Sequence, residues 1–142
     1  MVVAGAAVAW FEPHKLFLDD RTGEKAAPAG RVLAFGTVRG LEHEASGTAS
    51  IVEGAGRALH FDDLRTSNGP DLRVYLSAAP ADALWDTFDD DFVDLGKLQG
   101  NIGDQTYDIP EETTLTRYRT VVVWCKRFSV PFASADVSEL TQ

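Results

Sequence analysis

Cysteine is almost missing from this chain: Cys125 is its one thiol among 142 residues. No internal disulfide can form, and there is no Cys-x-x-Cys pair for dithiol redox chemistry. Methionine is as scarce, with Met1 alone, and the histidines are limited to His14, His43 and His60. A blue-copper centre takes two histidines and a cysteine, usually with a weak axial ligand such as methionine. Neither residue type follows Cys125, so the usual arrangement is excluded. A zinc site would have to assemble from the same scattered residues without a recognisable spacing; no metal is expected.

Positive charge is short as well. Thirteen Lys and Arg stand against 22 Asp and Glu, for a formal net charge of −9. That balance argues against nucleic acid, which needs clustered Lys and Arg, and against docking on an anionic membrane surface. Long hydrophobic runs are lacking too. The apolar stretch Met1–Phe11 is about half of the ~20 residues that cross a bilayer as a helix. It has no basic leader and no clear cleavage site. It is expected to be the outer half of a membrane anchor, with Trp10 and Phe11 at the interface; a buried N-terminal element is the alternative. Residues 12–30 then read as a linker or arm rich in Asp, Gly, Ala and Pro. A β domain follows over residues 31–142.

What is present in quantity is short extended sequence. Thr120-Val121-Val122-Val123-Trp124-Cys125 has the densest β-branched run in the chain, without polar alternation, as in a central strand buried on both faces. Continued to Val130, the strand would place Val121, Val123, Cys125 and Arg127 on one face and Val122, Trp124, Lys126 and Phe128 on the other. Further strands are expected at Val32–Val38, Gly47–Val52, Arg57–Phe61, Leu72–Leu76, Phe92–Leu95 and Thr106–Ile109. Pro80–Phe88 and Thr114–Tyr118 read as short helical turns. About seven short strands with frequent turns predict an all-β antiparallel sandwich or closed barrel. There is no room for the crossover helices of a parallel sheet.

Candidate chemistry is thin. Ser46, His60 and Asp62 are the residue types of a hydrolase triad, but Ala45-Ser46-Gly47 is not a nucleophile elbow. Asp86, Asp89, Asp90, Asp91 and Asp94 lack EF-hand spacing and read as a solvated acidic loop. Arg65-Thr66-Ser67-Asn68-Gly69-Pro70-Asp71 carries a tight-turn signal, with Asp71 able to cap the turn. Its Thr66, Ser67, Asn68 and Asp71 could equally clamp a ligand. Cys125 is either a small core hydrophobe or, if partly exposed beside Lys126 and Arg127, a reactive thiolate.

Five stretches in register carry a resemblance. They are Phe35–Thr48 (FGTVRGLEHEASGT), Leu59–Leu64 (LHFDDL), Thr66–Leu72 (TSNGPDL), Val93–Gln105 (VDLGKLQGNIGDQ) and Val123-Trp124-Cys125. In this order they resemble the DM-thirteen domain, a family associated with electron transfer, in an anchored single-domain bacterial form. The resemblance implies an extracytoplasmic redox or electron-transfer module displayed at the cell surface, with a separate redox partner protein. It also implies that Cys125 works as a bare thiol or as an axial ligand to a prosthetic group such as haem, with Arg127 biasing the thiol or a haem propionate. The competing expectation is a non-enzymatic ligand-binding or adhesion sandwich. There Thr66, Ser67, Asn68, Asp71, Asn101 and Gln105 would form the ligand loops and Cys125 would be core.

Overall fold

A computed structural model describes residues 30–137 and the backbone of Glu139–Leu140. The expected anchor at 1–11 and nearly all of the arm at 12–30 lie outside the described residues.

Among the described residues, ten strands form two five-stranded antiparallel sheets. They are β1 (Arg31–Thr37), β2 (Arg39–Gly40), β3 (Ala45–Glu53), β4 (Arg57–Thr66), β5 (Leu72–Ser77), β6 (Phe92–Lys97), β7 (Ile102–Ile109), β8 (Thr120–Cys125), β9 (Val130–Asp136) and β10 (Glu139–Leu140). The first sheet runs β10-β1-β3-β4-β7 and the second β2-β9-β8-β5-β6. The sheets stay separate, so of the two expected architectures the sandwich is the one formed, and the closed barrel is not.

The period-two pattern of each strand decides what goes between the sheets. Leu59 and Phe61 of β4, Leu72, Val74 and Leu76 of β5, and Val121, Val123 and Cys125 of β8 belong to one core. The opposite face of the second sheet carries a smaller cluster of Tyr75, Phe88, Val122 and Trp124. Tyr75 stacks on Trp124 with centroids 5.9 Å apart and on Phe92 at 4.2 Å. β8 lies third in its sheet and is buried on both faces, as its unbroken apolar run predicted.

The strand beyond Cys125 is a correction. The chain turns at 126–129, with Ser129 in the left-handed region (φ 55°), and returns as β9 with Val130 opposite Cys125. Arg127 therefore leaves the Cys125 face and stands exposed in the turn, and Phe128 is 63% exposed instead of packing beside Trp124. Lys126, Arg127, Phe128 and Ser129 follow where burial of the valine run ends, and all four are exposed.

The helical expectations shrink to single turns. Pro80–Phe88 yields one 3₁₀ turn at Trp85–Thr87. It buries Phe88 fully but leaves Leu84 76% exposed. At Thr114–Tyr118 the Thr114 carbonyl accepts from the Arg117 and Tyr118 N–H groups, and no helix follows. Strands β3, β4 and β7 extend beyond the expected bounds because β4 continues through a bulge. Between Phe61 and Leu64 its register against β7 shifts, and β3 shifts at the same place between Ser46 and Thr48. Asp63 takes φ 55° there, and Gly47 opposite it takes φ 120°. A Cβ on Gly47 would lie 2.8 Å from the Asp63 carbonyl oxygen, so the close approach admits only glycine.

Candidate functional site

Cys125 ends the central strand directly opposite Leu72, the first residue of β5. The segment leading into β5, Ser67–Asp71, crosses from the first sheet to the second and passes over this point. Cys125 is 0% exposed, and its Sγ donates to the Pro70 carbonyl at 3.2 Å. The next amide, Lys126 N–H, donates to the Asp71 carbonyl at 3.0 Å. Asp71 sits at φ 53°. Its carboxylate does not cap the turn in any contact of the loop; it faces Arg73 at 3.9 Å, while Asp94 holds the same guanidinium at 2.9 Å. Asn68 supplies the local closure, accepting the Gly69 N–H at 2.9 Å.

Beneath the loop lies a set of buried amides. Asn101 Nδ2 donates to the Thr66 carbonyl, and Thr66 N–H donates to the Asn101 carbonyl, both at 2.9 Å. Gln105 is fully buried; its Nε2 donates to the carbonyls of Gly100 at 2.9 Å and Gly103 at 3.2 Å. Its Oε1 accepts from the Tyr107 hydroxyl, which in turn accepts the Gln99 N–H at 2.7 Å. Buried amides must find partners or cost their desolvation. Here the partners are the backbone of the loops themselves. Asn101 thus ties the turn before β7 to Thr66 at the end of β4, while Gln105 holds the backbone of Gly100 and Gly103.

Of the expected loop residues, Asn68, Asp71 and Asn101 do meet around one small cleft of 130 Å³. Thr66 and Ser67 turn the other way, onto a wider groove of 650 Å³ with His43, Ser46 and Arg65. The Thr66 hydroxyl is buried with no hydrogen-bond partner. The expected acidic loop is partly spoken for. Asp91 is bound by Arg117 and by the Tyr118 hydroxyl at 2.7 Å. These bonds, the tyrosine's first, hold its carboxyl below the ordinary carboxylate range.

Haem ligation by Cys125 does not fit this geometry. Iron needs open space over a thiolate sulfur, whereas this sulfur is sealed within the core and already bonded to Pro70. Arg127, the expected neighbour of a propionate, is in the exposed turn.

Two groupings escaped sequence reading. Arg39 joins Arg117 and Arg119, some eighty residues further along an acidic chain, in lining a groove of 860 Å³ with Pro80 and Asp82. His60, Asp62 and Asp104 bring one potential ligand atom each within 4.8 Å of one another. The first two are an alternate pair on one strand, which is a readable signal. Asp104 joins them only through strand pairing.

A two-sheet antiparallel sandwich, its lone thiol at the end of the central strand under an Asn-Gly-Pro turn, defines the class of domain. The family model described as Electron transfer DM13 matches residues 37–137, and the chain belongs to that family. No match was found among curated proteins or among solved structures.

Proposed function

We propose that this electron-transfer-related domain works outside the cytoplasm as a single-thiol redox module, with Cys125 reached by opening of the Ser67–Asp71 loop. The observation that carries this reading is the position of the chain's one thiol. It stands at the last residue of the central strand, tied to a loop carbonyl by one hydrogen bond. Once open, the Cys125 thiolate attacks a disulfide of a separate partner protein. A mixed disulfide forms, and the partner's second sulfur leaves as thiolate. With no other cysteine in the chain, the resolving thiol belongs to the partner. Display at the cell surface through a membrane anchor in Met1–Phe11 is part of the same proposal; the apolar composition of that stretch supports it.

An aromatic disulfide reagent tests the reading on the native chain. One thiolate is released per chain with the far-ultraviolet spectrum unchanged, at a rate that levels off as loop opening becomes limiting. Gly69→Ala accelerates it, since the added methyl meets the Phe132 ring at 2.9 Å and loosens the loop. Labelling that proceeds only at the rate of global unfolding sinks the proposal.

The complete burial of Cys125 favours a second reading, a ligand-binding or adhesion sandwich in which the thiol is core. Its ligand would meet Asn68 and Asp71 at the small cleft. Under it, Cys125→Ser lowers stability and leaves redox behaviour untouched.

A further inference from the structure

We infer that His60, Asp62 and Asp104 form a site for a divalent cation of the zinc class on the outer face of the first sheet. The inference is independent of any role for Cys125.

Leu59 and Phe61 point into the core, so His60 lies on the opposite face of β4. Its partner in register is Thr106 of β7, and Asp104 stands two residues before Thr106, on the same face. The bulge then moves Asp62 and Asp63 opposite Asp104, the kind of re-aiming for which bulges occur beside functional sites. The result is one donor atom from each of the three side chains within 4.8 Å.

His60 carries the argument beyond a cluster of carboxylates. It is only 5% exposed, and its Nδ1 lies 2.9 Å from Thr106 Oγ1. In the tautomer where Nδ1–H donates to that hydroxyl, Nε2 presents a lone pair. Among the described residues, nothing hydrogen-bonds that nitrogen. A buried imidazole fixed at one nitrogen and open at the other is how proteins present histidine to a metal. Asp104 is oriented too, its Oδ1 accepting the Asp63 N–H at 2.7 Å. Among the described residues no Lys or Arg forms an ion pair with Asp62 or Asp104, so the converging negative charge is uncompensated.

One imidazole nitrogen and two carboxylate oxygens make a three-ligand set with room for water at a fourth position, which suits Zn²⁺. Calcium prefers six to eight oxygens and finds too few.

Calorimetric titration of the full chain, stripped with chelator, tests the site. Zn²⁺ is expected to saturate a site of one ion per chain, and Co²⁺ to give visible bands. Asp62→Asn and Asp104→Asn each weaken Zn²⁺ by at least about 10-fold with the far-ultraviolet spectrum intact. His60→Gln abolishes the Co²⁺ bands; because His60 is buried and that variant could misfold, the two aspartate variants decide. No saturable Zn²⁺ binding overturns the inference. So does wild-type affinity in both aspartate variants, which puts the ion elsewhere on the chain. Calcium binding as tight as zinc overturns the assigned class.

Discussion

Two polar regions of this sandwich invite comparison: the loop clasp around Asn101 and Gln105, and the outer-face group of His60, Asp62 and Asp104. Both use β7, and both hold polar side chains, of which the sequence reading expected Asn101 and Gln105 to meet a ligand and did not single out Asp104. In the clasp, the amides of Gln105 are turned inward and used by the backbone of Gly100 and Gly103. On the outer face, two carboxylates converge on a half-satisfied imidazole without a cation. The first arrangement lowers the energy of the fold by itself; under the inferred cation site, the second gains most when an ion binds. Satisfied polar groups are architecture, and unsatisfied convergent ones are available for chemistry.

The comparison breaks most visibly at Gln105. Gln105→Ala strips partners from the Gly100 and Gly103 carbonyls and the Tyr107 hydroxyl in a fully buried place. A loss of about 3 kcal/mol is expected in urea unfolding. A loss under about 1 kcal/mol would mean that the clasp is not structural.

The outer face should respond with the opposite sign. In metal-free protein, Asp62→Asn removes one of two like charges at an exposed position and raises stability by about 0.5 kcal/mol. Adding Zn²⁺ should reverse the order, with the wild type gaining thermal stability and the variant not. If Asp62→Asn destabilises the metal-free chain, the carboxylate is structural and the contrast between the two regions collapses.

The smallest effect is expected from a third polar group, the exposed Asp91–Tyr118–Arg117 contact, which is neither clasp nor open site. Its carboxyl titrates below the ordinary range when folded. The stabilisation is therefore complete above the unfolded-state value and disappears as pH falls through the folded one. Urea midpoints measured from about pH 5 to pH 2 should fall less steeply for Asp91→Asn than for the wild type. The difference should shrink in high salt, because the pair is exposed.

Legibility follows the range of the interaction. The partition of β8, with Val121, Val123 and Cys125 inward and Val122 and Trp124 outward, is visible because alternation is local. So is the split of Leu72, Val74 and Leu76 from Tyr75. β9 was hidden: its small residues and Pro131 look like loop, and only pairing with β8 makes them a strand. Arg127 was misplaced because a valine run says where burial starts, not where a turn at Ser129 ends it. The thiol's burial could not be read either, since it depends on a loop from Pro70 that is distant in sequence.

Composition and periodicity alone determined an acidic, all-β antiparallel chain, sandwich or closed barrel, with its one thiol on a strand patterned for burial on both faces; five stretches of sequence carried the family resemblance. Tertiary structure decided which polar residues are consumed and which stay available. Asn101 and Gln105 became internal fastenings, Arg127 went to solvent, and Asp104 came to His60. The physical reason is that strand register and the Asp62-Asp63 bulge act between segments about forty residues apart. A one-residue change in that register turns a side chain from core to surface, and nothing local in the sequence records it.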